Sequence, residues 1–370
     1  MHDERISRRR FGQLLAVSGA AAAASPVTAC AAAAASPAAR HDAATPPARS
    51  PRPRPPLVKP HHLSAGDTVG LVLPASQAFE ASTIDLAREQ LEAVGFRVKV
   101  GTHARSKHGY LAGTDEERVA DLMAMFADPE VAAIFCFRGG WGTPRLLPLL
   151  DFQAIAAHPK PFVGYSDITA LLNAIHQETG LVTFHGPIAA SNLRPFNRES
   201  LQRVLMSTEP IGTLANPPKE DDELVPRSYR IVTITPGQAR GRLAGGNLTL
   251  VASLMGTPWE VDAEGAILLL EDVEEELYRI DRMLTQLALG GVLQRAAGIV
   301  FGYCTDCPVE GPSLSLEEIL ADHIGRLRIP AMAGFAFGHR EKVLTLPIGL
   351  TATLDSTAGT LSFDETGDVR

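Results

Sequence analysis

The chain has no excess of basic residues: 34 Lys and Arg stand against 42 Asp and Glu, a formal charge of −8. A nucleic-acid surface needs clustered cations to neutralise phosphates, so that class of partner is excluded and a small or electroneutral substrate fits better. The zinc-protease pattern HExxH and a phosphate-binding P-loop are both missing. The dinucleotide fingerprint fails as well, because Arg145 occupies the place of its third glycine. Cysteine is scarce, with four in the whole sequence. Cys136 lies inside the apolar run "AAIFCF" and reads as a buried small hydrophobe. Cys304 and Cys307, in "CTDC", have metal or redox spacing but no second ligand pair, which leaves a short-range disulfide or two idle thiols. No metal or other cofactor is called for.

The first residues also lack a convincing spanning helix, since their alanine-rich run is shorter and less apolar than the roughly 20 strongly apolar residues a bilayer requires. What they contain is Arg8, Arg9 and Phe11 ahead of that run, a pattern similar to a twin-arginine export signal over residues 1–30. Export to the periplasm is the expectation. Val27, Thr28, Ala29 and Cys30 resemble a lipoprotein cleavage box, which would make Cys30 a lipid anchor; cleavage at a neighbouring Ala-x-Ala triplet is the equal alternative. Residues 31–60 are rich in Ala, Pro, Ser and Arg, cannot bury enough apolar surface to offset ordering, and read as a disordered linker.

The remaining length is enough for about two domains. Over residues 61–200, apolar strands such as "TVGLVL", "VAAIFCF" and "PFVGY" alternate with helical patterns. Ile84, Ala87, Leu91 and Val94 mark the first helix, closed by Gly95; Thr114 and Glu117 form a capping box for the second. The alternating "FRVKV" belongs nearer an edge, and "TPRLLPLL" reads as a short helical stretch. This rhythm predicts a parallel sheet of flavodoxin or Rossmann type, whose ligands bind beyond the carboxyl ends of the strands. Residues 201–235 contain the Pro-rich acidic "NPPKEDDELVPRS" and read as a connection. Residues 236–370 predict a smaller β/α domain, with "AILLLE" and "AAGIVFGYC" as strands, a helix carrying Tyr278, Ile280, Met283, Leu284 and Leu287 on or near one face, and further strands ending in a hairpin in "LTLPIGLTATLDSTAGTLSF".

Two loops at strand ends could carry chemistry. "RGGWG", residues 138–142, could aim backbone amides at a ligand or simply turn the chain. In "FVGYSDIT", Ser166 or Asp167 could cap the following helix, or Ser166 could be a nucleophile on a tight turn. A serine nucleophile needs a histidine to take its proton, a carboxylate to orient that histidine, and amides for the oxyanion. His339 lies in the polar turn of "FAFGHREKVLTLPIG" and Glu271 ends "AILLLE". Taken singly, His339 reads equally as a surface histidine and Glu271 as the start of the acidic run 271–276.

Together, "RGGWG", "GYSDIT", "GGNLTLVASLMGT", "LLLEDVEEELYRIDRMLTQL" and "FGHREKVLTLPIG" resemble, in order and from about residue 66 to about 355, the LD-carboxypeptidases of murein metabolism, which share their fold with the microcin C immunity hydrolases. The resemblance implies Ser166 as nucleophile, Glu271 rather than Asp272 as the orienting carboxylate, and His339 as base, with the active site where the two domains meet. It implies Gly140 and Asp167 as oxyanion amides and a murein tetrapeptide as substrate, hydrolysed at an L,D-amide to release D-alanine. Arg138, Gly139 and Trp141 are then pocket residues, Arg242 and His185 weaker candidates, and a homodimer is the family's habit. Ile168 stands where ordinary α/β-hydrolases often place glycine, which argues against that fold. Two other classes remain: a microcin-type amidase, differing in the pocket alone, and a murein-peptide-binding lipoprotein without turnover.

Overall fold

A computed structural model describes residues 53–191, 193–220, 222–309 and 311–369. The export-signal and lipobox readings, Cys30 included, lie outside the described residues, as does most of the expected linker. Its last part is ordered, contrary to expectation. The Val58 N–H donates to Gly180 O and Arg54 pairs with Asp262, so backbone pairing and charge hold a segment whose composition offers little to bury.

The expected βα rhythm produces β1 (Thr68–Val72), α1 (Ala81–Val94), β2 (Arg97–Val100), α2 (Asp115–Ala127), β3 (Val131–Cys136), α3 (Phe152–Ala157), β4 (Phe162–Gly164), α4 (Thr169–Thr179), β5 (Thr183–His185) and α5 (Pro195–Leu205). The Thr114–Glu117 box caps α2 in both directions. "TPRLLPLL" forms two 3-10 turns rather than one helix, with a proline in each. β1 to β5 pair in parallel, with the alternating β2 at the edge.

The second sheet draws on β6 (Gly212–Ala215), β7 (Val232–Thr235), β8 (Gln238–Asn247), β9 (Ile267–Val273), β10 (Gly298–Thr305) and β11 (Ala331–Ala333), with α6 (Leu248–Ser253), α7 (Leu277–Leu289), α8 (Val292–Arg295) and α9 (Leu316–His323) between them. β12 (Leu346–Ile348) and the hairpin β13 (Thr351–Asp355) and β14 (Thr360–Phe363) follow. The strand order is β6-β14-β13-β8-β9-β10-β11-β7, parallel from β8 to β11 and antiparallel towards both edges. Three expectations change here. The second sheet takes β6 and β7 from the supposed connection, where exposed residues weaken the apolar pattern, and so has eight strands against six. Tyr278 is exposed, while Leu277, Ile280, Leu284 and Leu287 face inward from α7.

The third change matters most. "LTLPIG" does not stay in the second lobe: β12 joins the first sheet antiparallel to β5, pairing Leu346 with His185. Helix α5 receives it through side chains, with Asn197 Oδ1 accepting from Val343 N at 2.9 Å and Ser200 Oγ from Thr345 N at 2.8 Å. The chain between β11 and β12 therefore crosses from one sheet to the other. One apolar cluster runs from Val69 and Phe135 in the first sheet to Leu269 and Val300 in the second, and another lies around Leu268, Ile280 and Phe301. Cys136 is buried and unpaired, whereas Cys304 and Cys307 form a disulfide.

Candidate active site

Three distant residues meet at this crossing. Ser166 follows β4 on a turn so tight that its φ is 65°, left-handed backbone that an L-residue adopts only when its surroundings impose it. Glu271 lies near the end of β9, fully buried, and His339 lies on the β11–β12 crossover. His339 Nε2 is 3.0 Å from Ser166 Oγ, and His339 Nδ1 is 2.7 Å from Glu271 Oε2. The carboxylate can only accept, so Nδ1 carries the hydrogen and leaves the Nε2 lone pair facing the hydroxyl. Glu271 Oε2 also accepts from His339 N at 3.3 Å, which fixes the turn along with the ring. Gly338 makes this approach possible, since at its φ of 85° any Cβ would collide with Glu271 Oε2.

Burial by itself would lower the His339 pKa, but the charge of Glu271 and its hydrogen bond, with Asp272 and Glu274 beyond, raise it above the ordinary 6.5. Asp272 turns away from the histidine, as the alternation of a strand requires. It accepts from Asn247 Nδ2 at 3.1 Å, Thr249 N at 3.0 Å and Thr249 Oγ1 at 2.8 Å. Burial and the Glu271 charge push its pKa up to about 6.

The nucleophile turn is clamped from both lobes. Asn173 of α4 gives Nδ2 to Gly245 O at 2.9 Å and takes Gly245 N on Oδ1 at 2.9 Å, while Asn247 N donates to Thr169 Oγ1 at 3.0 Å. These bonds tie the helix after Ser166 to the end of β8, beside Glu271. Asn173, Thr169 and Asn247 were not found from sequence. A legible signal existed for Asn247 alone, as an N-cap before "LTLVAS". The ring of Tyr165 stands edge-on to His339, with centroids 5.0 Å apart, and limits its rotation.

The "RGGWG" loop presses directly on this turn. A Cβ on Gly139 would lie 2.7 Å from Ser166 Cβ and 3.1 Å from Asp167 N, so only glycine permits the contact. The backbone amides of Gly140 and Asp167 have no acceptor among the described residues. The Asp167 carboxylate has a separate task missed from sequence: it accepts from Thr143 N at 2.8 Å, and Thr143 Oγ1 donates to Asp167 O, locking loop to turn. Burial pushes the Asp167 carboxyl up to about 6 despite these bonds. A carboxyl with a raised folded pKa binds its proton more tightly in the folded chain, so its penalty on folding grows as pH rises from 3.8 to about 6 and is constant above. Asp167→Asn keeps an acceptor without the charge. Its melting temperature relative to the native chain is expected to climb between pH 4 and pH 7; a flat difference would contradict the buried charge.

The other expected pocket residues divide. Arg138 is partly buried with its guanidinium 4.6 Å above the Phe79 ring. Trp141 is exposed and edge-on to Tyr110, and its backbone N–H donates to Ser76 Oγ at 3.1 Å. Arg242 is spent on Asp262 and on the carbonyls of Asp262 and Glu264, a structural role. His185 does not line the cleft: it is buried beside Tyr165 and Phe337, with neither ring nitrogen bonded, and burial lowers its pKa to about 4.

Family models match two stretches: residues 69–186 fit the LD-carboxypeptidase N-terminal domain and residues 240–354 the C-terminal domain. The chain is 45% identical over 305 residues to the probable murein peptide carboxypeptidase of Bacillus subtilis (strain 168), covering 80% of this chain and 92% of that protein. It is 36% identical over 292 residues to the murein tetrapeptide carboxypeptidase of Pseudomonas aeruginosa, covering 78% and 92%. The solved structure of the microcin C7 self-immunity protein MccF in its wild-type apo state is similar with a TM-score of 0.76 at 28% identity, over 84% of this chain and 100% of that one.

Proposed function

The chain belongs to the LD-carboxypeptidase family of serine peptidases, and from that premise we propose that it cleaves the terminal D-alanine from murein tetrapeptides with Ser166 as nucleophile. His339 Nε2 takes the hydroxyl proton as Oγ attacks the scissile carbonyl carbon, and Glu271 steadies the imidazolium that forms. The tetrahedral oxyanion lies against the amides of Gly140 and Asp167. His339 then gives its proton to the amine of D-alanine, which departs. Water enters, loses a proton to the same nitrogen, attacks the acyl ester, and Ser166 recovers its hydrogen. Arg138 holds the terminal carboxylate of the substrate, its guanidinium over Phe79 and without a carboxylate partner among the described residues; Gly139 and Trp141 wall the cleft.

The observation that carries the reading is the unbroken hydrogen-bond chain from Ser166 through His339 to buried Glu271, assembled from two sheets. Incubation of the purified protein with murein tetrapeptide is expected to yield tripeptide and free D-alanine by mass spectrometry. Cleavage at another amide would favour a microcin-type amidase, and stoichiometric binding without products a non-catalytic carrier. The proposal extends to location: Arg8 and Arg9 support export to the periplasm, and the mass of the mature N-terminus would tell acylated Cys30 from cleavage at Ala-x-Ala. A homodimer, the habit of the family, is tested by sedimentation.

A further inference from the structure

Charged groups near the site are unevenly satisfied. Among the described residues, Arg88, Arg118, Arg242 and Arg295, which are partly or fully buried, each pair with a carboxylate. Arg138 and Arg340 are the two partly buried arginines that do not. They flank the Ser166–His339 pair, one from each lobe: Arg138 is bonded to Gly139, which touches Ser166, and Arg340 follows His339 directly.

Both are held by rings instead of acids. The Arg340 guanidinium carbon is 4.6 Å from the centre of the Tyr303 ring and 5.3 Å from that of Tyr229, two rings that stand edge-to-face. A guanidinium held over aromatic rings rather than by a carboxylate keeps its charge and N–H groups for another partner. In the Arg340 recess one acceptor is bonded among the described residues, Ser228 O at 3.1 Å from Nη2. Arg340 Nε and the Tyr303 hydroxyl are buried with no hydrogen-bond partner among the described residues. Buried donors are seldom left so, because each loses its water without gaining a partner. Tyr303 also adjoins Gly302, where a Cβ would lie 3.1 Å from Glu271 Cβ, so the recess borders the triad.

We infer that Arg340, held over the rings of Tyr229 and Tyr303, is a specificity-determining residue that binds a second carboxylate, one carried by the residue on the acyl side of the scissile amide. The inference rests on the proposed peptidase reading and deepens it: the substrate is a peptide with two anionic groups, its terminal carboxylate on Arg138 and its acyl-side carboxylate on Arg340.

The test uses two tetrapeptides ending in D-alanine that differ only in whether the penultimate side chain carries a free carboxylate or a carboxamide. The native protein is expected to favour the acid at least about tenfold, chiefly in KM. Arg340→Gln is expected to raise KM for the acid to that of the amide, and Arg340→Lys to keep part of the preference. Calorimetric binding of both peptides to Ser166→Ala protein, with and without Arg340→Gln, gives the same comparison without turnover. Equal treatment of the peptides by the native protein, an unaltered preference in Arg340→Gln, or equal losses on both peptides in both variants would overturn the inference. Retained activity in Ser166→Ala would overturn the peptidase reading instead, whatever Arg340 does.

Discussion

Ser166→Ala is expected to lower kcat for D-alanine release by about 10⁵- to 10⁶-fold, the scale on which removing the nucleophile of a serine peptidase acts. Without Oγ there is no acyl ester, and the residual rate depends on binding and the oxyanion amides alone. The fold should persist, because the turn is imposed by its surroundings. Gly139 presses on it, Asp167 is bonded to Thr143, and Asn173 anchors the next helix to Gly245. Alanine at a φ of 65° is no more strained than serine there, so the melting temperature should move by a few degrees at most. Mass spectrometry of the products beside a thermal melt checks both halves. A folded variant with native turnover would end the case for Ser166.

Glu271→Gln is expected to cost about 10³- to 10⁴-fold in kcat and to displace the pH profile. The native protein must have His339 neutral, because an imidazolium cannot accept the Ser166 proton. Activity therefore falls on acidification as His339 gains its proton, and since Glu271 helps raise that pKa, the midpoint of kcat/KM lies above 6.5. Removing the charge lets burial dominate, so the acid limb of the residual activity moves to lower pH. The glutamine amide can also donate towards Nδ1, turning the ring to the wrong tautomer, which accounts for the loss at every pH. An unshifted midpoint in the glutamine variant would show that Glu271 does not govern His339. Asp272 is no substitute, since Asn247 and Thr249 hold its carboxylate on the other side of the strand.

Much of this was legible because local physics and tertiary structure agree. The continuous apolar runs of β1 and β3 could only be strands covered on both faces, and Thr114 with Glu117 had little alternative to capping α2. The edges of the second sheet were hidden for the opposite reason. β6 and β7 are short, half-exposed and lie amid prolines and acids, so their strand character comes from pairing with β14 and β11 rather than from a pattern of their own. Tyr278 satisfied the helical period of α7 and still faces solvent, since a period fixes neighbours on a surface but not how wide the buried stripe is.

The sequence by itself determined the chemistry on offer: a serine after a buried strand, a carboxylate at the end of another, a histidine in a polar turn, and the order of motifs that marks the family. Tertiary structure decided that the three could act on one another. β12 leaves the lobe in which its neighbours lie and pairs with β5, drawing His339 across to Ser166. The same decision left Arg340 over two rings without an acid. Such pairings bring together residues far apart along the chain, and their strength comes from groups on both sides at once, so no local stretch carries their signature.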